Sequence, residues 1–423
     1  MIIRLPRRVS EKECAVCGKR SKLISNSIKV CVDCLRERSE EALRYPMETH
    51  EEVRRRFGLP PTPPRSVDGV KCNLCSAECV MGEGERSYCG LRENRGGRLF
   101  SLADSENALL HYYLDPHVTN CCNAWFCPAG TGSGYPVYAV RDGPEYGYYN
   151  LALFFYGCSF DCLFCQNWSH KSLRDAKRVH VREIVDLTLE DRRITCWCWF
   201  GGTPEPQLPF AINASRLILE EKPSNRIVRI CFEWNGSGNP NLVRKAAELS
   251  FESGGNIKFD LKAFTPSVHM ALTGRDNKRT LKNFELIYRD FYERRRDVPV
   301  LAATTLLVPH YVDEYEVSRI AEFIASLDPE IPYSLLIFHP DFMMNDVTVT
   351  PRKQVEDCYR AAKRYLKNVN LGNIALLGFA EAGLYSPANR NESIVAHESG
   401  WRSAVDRYWI SAELTSILLI EIP

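Results

Sequence analysis

From residue 148 onward, short apolar runs alternate with stretches whose apolar residues recur at helical spacing. The runs cover 150–156, 194–200, 226–233, 256–262, 298–308 and 333–338. The amphipathic stretches cover 181–189, 242–252, 281–292, 314–327 and 354–366. Strands alternating with helices at this interval predict βαβ units and a parallel sheet. Six such units predict an α/β fold, a partial (β/α)6 TIM-like barrel over residues 148–379. Sites in barrels of this kind lie at the C-terminal ends of the strands. Residues 380–423 carry no clear pattern and are expected to form a C-terminal extension over the barrel.

Before residue 148 the pattern is different. Residues 36–57 read as a polar helix, and Pro60-Pro61-Thr62-Pro63-Pro64 reads as a stiff linker over 60–68. Cysteine then organises what hydrophobicity does not. Cys14-x2-Cys17 and Cys31-x2-Cys34 are two knuckles thirteen residues apart, a zinc-ribbon spacing that predicts a structural metal in a domain spanning 1–59. Residues 69–147 form a cysteine-rich unit. Cys72, Cys75, Cys79 and Cys89 stand close together there, and Gly82 and Gly84 let the chain turn back. The segment holds too little apolar content to fold alone, so a metal staple or an auxiliary iron–sulfur cluster is expected. Cys121, Cys122 and Cys127 follow, read either as ligands or as packed thiols, beside a weak phosphate-loop candidate at Gly130–Gly134.

Composition narrows the classes. The chain has 423 residues and a formal charge of +1, so as a whole it offers no polyanion surface. The first 38 residues hold ten Lys/Arg against four Asp/Glu, an excess of six and only a weak pointer to nucleic acid. The N-terminus lacks the apolar segment of a secretion signal, and no apolar run reaches membrane-spanning length. A soluble, cytoplasmic protein is expected. Eighteen cysteines in such a chain, many in C-x2-C pairs, favour metal ligation over disulfides. Cys196, Cys198, Cys231 and Cys358 carry no such spacing and are read as packed thiols.

One stretch stands apart. YGCSFDCLFCQNW, residues 156–168, places Cys158, Cys162 and Cys165 as C-x3-C-x2-C just past the first barrel strand. Three thiolates on a four-iron cube leave one iron open, and an open coordination position is where a metal site does chemistry. Here the chain resembles the radical S-adenosylmethionine (SAM) superfamily, in the branch related to pyruvate formate-lyase activating enzymes. Phe164 supplies the aromatic residue before the last cysteine. GGTPEP (201–206), FEWNG (232–236), FDLKAF (259–264), LTGRDNKRTLKNF (272–284) and FHPDF (338–342) match that branch in order. KCNLCSAEC with Cys89-Gly90 resembles an N-terminal unit of some members. The likeness runs from about Lys71 to Asn373.

The resemblance implies a [4Fe–4S] cluster on Cys158, Cys162 and Cys165. Its open iron would chelate SAM and cleave it reductively to a 5′-deoxyadenosyl radical that abstracts hydrogen from a substrate. It further implies that Gly201, Gly202 and Thr203 approach the methionyl amino group. Asp260 serves a cation or SAM contact, and Lys262 meets the SAM carboxylate. Glu233 and Asn235 belong to the third-strand motif, Glu233 where the activating enzymes tend to carry a cation-binding aspartate. His339 would lie near the nucleoside. A one-electron donor such as flavodoxin or ferredoxin is implied. A protein substrate, as for glycyl-radical activation, is one expectation; RNA, a small molecule or a non-catalytic metal-stapled binding module are the alternatives.

Overall fold

The computed structural model describes residues 10–119 and 121–380. Two short N-terminal strands, β1 (Lys12–Glu13) and β2 (Arg20–Ser21), pair antiparallel and are followed by α1 (Val32–Glu37) and α2 (Ser39–Arg56). The second unit carries two small hairpins, β3 (Val70–Lys71) with β4 (Val80–Met81) and β5 (Arg92–Arg95) with β6 (Arg98–Ser101). Then come β7 (Asn107–Pro116), the short α3 (Pro128–Thr131) and β8 (Tyr149–Phe155).

From β8 the chain alternates as its pattern predicts: β9 (Arg178–His180), α4 (Val181–Glu190), β10 (Ile194–Gly201), α5 (Leu208–Glu221), β11 (Arg229–Trp234), α6 (Pro240–Ser253) and β12 (Ile257–Asp260). Two helices, α7 (Pro266–Thr273) and α8 (Lys278–Phe291), precede β13 (Leu301–Leu307). The chain continues through α9 (Glu314–Leu327), β14 (Tyr333–Ile337), α10 (Arg352–Lys363), β15 (Val369–Gly372) and α11 (Ala375–Ala380).

One nine-stranded sheet results, in the order β15-β14-β13-β12-β11-β10-β8-β7-β9. The seven strands from β8 to β15 pair parallel, and β7 closes one side antiparallel to β8. The fold is therefore mixed α/β with a mainly parallel sheet. It exceeds the expected six barrel strands by one, β15, and the segment expected to be only a cysteine-rich unit contributes β7 to this same sheet. The expected extension at 380–423 lies outside the described residues, apart from the end of α11.

Register sets the inward face. Cys198 pairs with Cys231, Glu233 with Lys258, Asp260 with Thr304, and Thr304 with Ser334; residues two apart on each strand share that face. The chain between β7 and β8 plugs it from below, at the N-terminal strand ends. Asn123 donates to Asn256 (2.7 Å), Trp125 Nε1 to Ser334 Oγ (3.1 Å), and Arg229 forms a buried pair with Glu145 (2.6 Å). The glycines of Gly130–Gly134 belong to this plug. A Cβ on Gly130 would stand 1.8 Å from the Ala124 carbonyl oxygen, so close packing, not phosphate binding, accounts for it.

The N-terminal unit shares the hydrophobic core of the nine-stranded sheet. Ser25 and Val30 both bond the Tyr311 hydroxyl (3.1 and 3.0 Å), and Arg36 pairs with Asp313 (2.6 Å) and Glu316 (3.0 Å). The Pro-rich segment is docked instead of serving as a free spacer: Pro60 accepts from Arg54 (2.6 Å) and Pro64 from Val80 (2.9 Å). No helix among the described residues is long and apolar enough to cross a membrane.

Candidate functional site

A cavity of about 260 Å³ opens at the C-terminal ends of the parallel strands. One wall is the loop after β8, which brings Cys158, Cys162, Phe164 and Cys165 to the cavity; the other is built by Glu233, Asn235, Lys258, Asp260 and Lys262. Gly201 and Gly202 line it between the two.

The cysteine loop is anchored by charge. Asp161, fully buried, accepts from Lys171 Nζ (2.5 Å) and meets His50 Nδ1 (2.9 Å), with Arg54 at 3.5 Å. Burial would raise its carboxyl, but Lys171, His50 and Arg54 outweigh that and hold it far below the usual range. The three thiols are pushed the other way. Burial lifts Cys162 to about 12 and raises Cys158 and Cys165 as well. Such thiols ionise only against a concentrated positive charge, which is what iron supplies. Asn235 Nδ2 reaches Ser159 Oγ (2.8 Å) and Cys158 Sγ (3.8 Å), tying β11 to the loop.

The opposite wall is a ladder of alternating charge. Glu233 and Lys258 approach to 3.1 Å, Lys258 and Asp260 to 3.0 Å, and Asp260 and Lys262 to 3.0 Å. Burial opposes the ionised Asp260, yet Lys258 and Lys262 bring it down to about 2. Lys262 is raised, its burial outweighed by Asp260 and then Cys162, and its ammonium stands 5.6 Å from the Phe164 ring centre. At neutral pH this wall therefore offers fixed ammonium groups to an anionic ligand. His170, also lining the cavity, is 3% exposed and its Nδ1 has no hydrogen-bond partner. A buried orphan of this kind fits a cavity that takes a polar occupant.

Gly201 and Gly202 are required sterically. Gly201 has φ +114°, and its Cβ would fall 2.5 Å from Phe155 N; one on Gly202 would fall 2.4 Å from Gly157 O. Thr203 turns away from the cavity, its hydroxyl bonded to the Glu205 carboxylate. His339 is half-buried and not among the cavity-lining residues. Of the residues expected to hold the cluster at Cys158, Cys162 and Cys165 and its SAM, the cavity thus gathers all but Thr203 and His339. It adds Lys258 and His170, which no motif marked, and Asp161, His50 and Arg54 behind them.

At the N-terminal unit, Cys14 Sγ lies 3.8 Å from Cys34 and Cys17 Sγ 3.7 Å from Cys31, and all four sulfurs fall within 4.8 Å of one another. A tetrahedral ion with bonds of ~2.3 Å to sulfur needs sulfur–sulfur edges of about 3.8 Å. These four residues can hold one metal ion.

With that geometry in view, residues 153–324 match the Radical SAM superfamily. This segment is a radical SAM domain. The chain is 23% identical over 318 residues to an uncharacterized protein of Methanocaldococcus jannaschii, covering 72% of this chain and 81% of that one. It is 27% identical over 229 residues to a second protein of that organism, named as a glycyl-radical enzyme activating enzyme, covering 52% and 79%. It is 32% identical over 140 residues to the isethionate sulfite-lyase activating enzyme of Desulfovibrio desulfuricans, covering 33% of this chain and 40% of that one. Among solved structures, a domain of a pyruvate-formate lyase-activating enzyme from Bacteroides vulgatus aligns with a TM-score of 0.31 at 19% identity, over 42% of this chain and 98% of that one. Streptococcus suis SuiB bound to S-adenosylmethionine aligns with a TM-score of 0.38 at 10% identity, over 55% and 52%.

Proposed function

We propose that the chain is a radical SAM enzyme whose cluster is held by Cys158, Cys162 and Cys165 and whose SAM occupies the cavity beside them. The observation that carries this reading is the shared cavity: two buried thiols, Cys158 and Cys162, and the half-buried Cys165 face a fixed ammonium, Lys262, across it. Reduced, the [4Fe–4S] cluster would supply the electron that splits SAM into methionine and a 5′-deoxyadenosyl radical, which takes a hydrogen atom from substrate. The chain's own part is positioning. Lys262 meets the SAM carboxylate, with Asp260 holding the lysine in place. Gly201 and Gly202 let backbone approach the methionyl group, and Phe164 with the buried walls keeps water from the radical. Glu233 and Asn235 shape the strand-three side.

The substrate we favour is a protein, as the names of two relatives indicate for themselves. RNA is the second reading, from the basic N-terminal unit. There, however, among the described residues, Lys12, Lys19, Arg20 and Arg36 are paired with Asp346, Asp33, Glu13 and Asp313, which lessens their positive charge. To Cys14, Cys17, Cys31 and Cys34 we assign one structural zinc ion, and to the external reductant a flavodoxin- or ferredoxin-type protein. Anaerobically reconstituted, reduced protein should release 5′-deoxyadenosine from SAM, and Cys162→Ala should release none. Equal product from both proteins would exclude this site.

A further inference from the structure

Glu233 and Asp260 are where the resemblance implies a bound cation, and their surroundings show whether one fits. Glu233 on β11 and Lys258 on β12 are ladder partners in a parallel pair. Lys258 and Asp260 stand two apart on one strand, so they share a face. On its other side Lys258 pairs with Ala302 of β13, which brings no charge. The fold thus sets Lys258 between the two carboxylates.

Its ammonium lies 3.1 Å from Glu233 Oε2 and 3.0 Å from Asp260 Oδ1. An ammonium carries three N–H donors and can serve both at once. The remaining oxygens are engaged too. Cys121 Sγ donates to Glu233 Oε1 at 3.0 Å, and Lys262 Nζ to Asp260 Oδ2 at 3.0 Å. All four carboxylate oxygens therefore meet a donor, and the point between the carboxylates is taken by nitrogen. The Lys258 side chain is 9% exposed, against 21% for Glu233 and 31% for Asp260. Burial disfavours its charge, but Asp260, Cys122 and Glu233 outweigh that and keep it protonated. Two carboxylates face two ammonium groups, so the wall is neutral without a further ion. A metal ion between Glu233 and Asp260 does not fit this arrangement.

We propose that the Lys258 ammonium stands in for a dissociable cation at Glu233 and Asp260, so that SAM binding by this chain needs no added metal cation. This rests on the reading of the cavity as the SAM site. Lys258 is a positioning residue: it fixes Asp260, which in turn fixes Lys262 for the SAM carboxylate.

Isothermal titration of reconstituted full-length protein with SAM tests it, in choline, sodium, potassium or magnesium chloride at equal ionic strength. The wild-type dissociation constant should agree within about twofold in all four salts. Lys258→Met should bind SAM about tenfold more weakly in choline chloride and recover in one of the metal salts, because the ion and SAM then assist one another. A wild-type affinity that drops about tenfold in choline would overturn the proposal, and this arm decides even where Lys258→Met fails to fold. A Lys258→Met defect that no salt repairs would also overturn it, leaving the lysine a merely structural role. Thermal midpoints without SAM separate this from failure of the underlying reading. The wild-type midpoint should not differ between choline and the metal salts, and that of Lys258→Met should rise with the ion that restores binding. Wild-type protein that binds SAM in no salt would sink the reading of the cavity, while these midpoints still decide the cation.

Discussion

Asp161 is one carboxylate doing the work of a joint. Three basic side chains from two segments, His50 and Arg54 on α2 and Lys171 after the cysteine loop, converge on it out of water. Removing one partner from a buried charged group strands the others, at a cost of roughly 3–5 kcal/mol. Asp161→Asn should therefore lower unfolding free energy by about that amount, read by anaerobic denaturant titration. Lys262→Ala is the opposite case. Asp260 keeps Lys258 at 3.0 Å, so folding and iron content should hold while SAM affinity falls by roughly ten- to a hundredfold, the worth of a charge-assisted hydrogen bond. Isothermal titration of the reconstituted protein checks this. At this scale the sequence was readable wherever chemistry imposes spacing: the three cysteines, the paired glycines, and Asp260 with Lys262 on one strand face. Lys258 and His170 were not readable, because each earns its place from neighbours distant in the chain.

Between residues and the whole, the GGTPEP turn joins β10 to α5. Glu205 in that turn is fully buried, receives Ser237 N (3.0 Å) and the Thr203 hydroxyl, and is lifted by burial to about 7. Its folded-state value lies above the ordinary 4.5, so the folded chain binds this proton more tightly than the unfolded chain. Stability from this group is fully present below about pH 4.5 and is lost as pH rises through about 7. Glu205→Gln should flatten that dependence between pH 5 and 8; thermal midpoints at both ends measure it, and an undiminished slope would place the titrating group elsewhere. Among the elements, those with long runs or clear helical periodicity were legible in advance. β7 was not, since it lies in a cysteine-rich stretch and four of its ten residues are exposed. α5 carries Pro209 in its first turn and no side-chain cap. β15 is four residues long, too short for alternation to register.

Across the whole molecule, the four-cysteine N-terminal unit, the second cysteine group and the radical SAM domain meet at one point, the loop of Cys158. Cysteine spacing and proline suggest separate units in the sequence. The packing of these segments into one core was not legible, because it depends on Tyr311, Asp313 and Asp346 reaching across hundreds of residues. The central claim is that an iron with an open position at Cys158, Cys162 and Cys165 takes the amino acid end of SAM. Electron paramagnetic resonance of the reduced protein, with and without SAM, tests it most directly. The account predicts that SAM changes the signal of the wild-type protein, and that the change is absent in Cys162→Ala; a wild-type signal indifferent to SAM would contradict it.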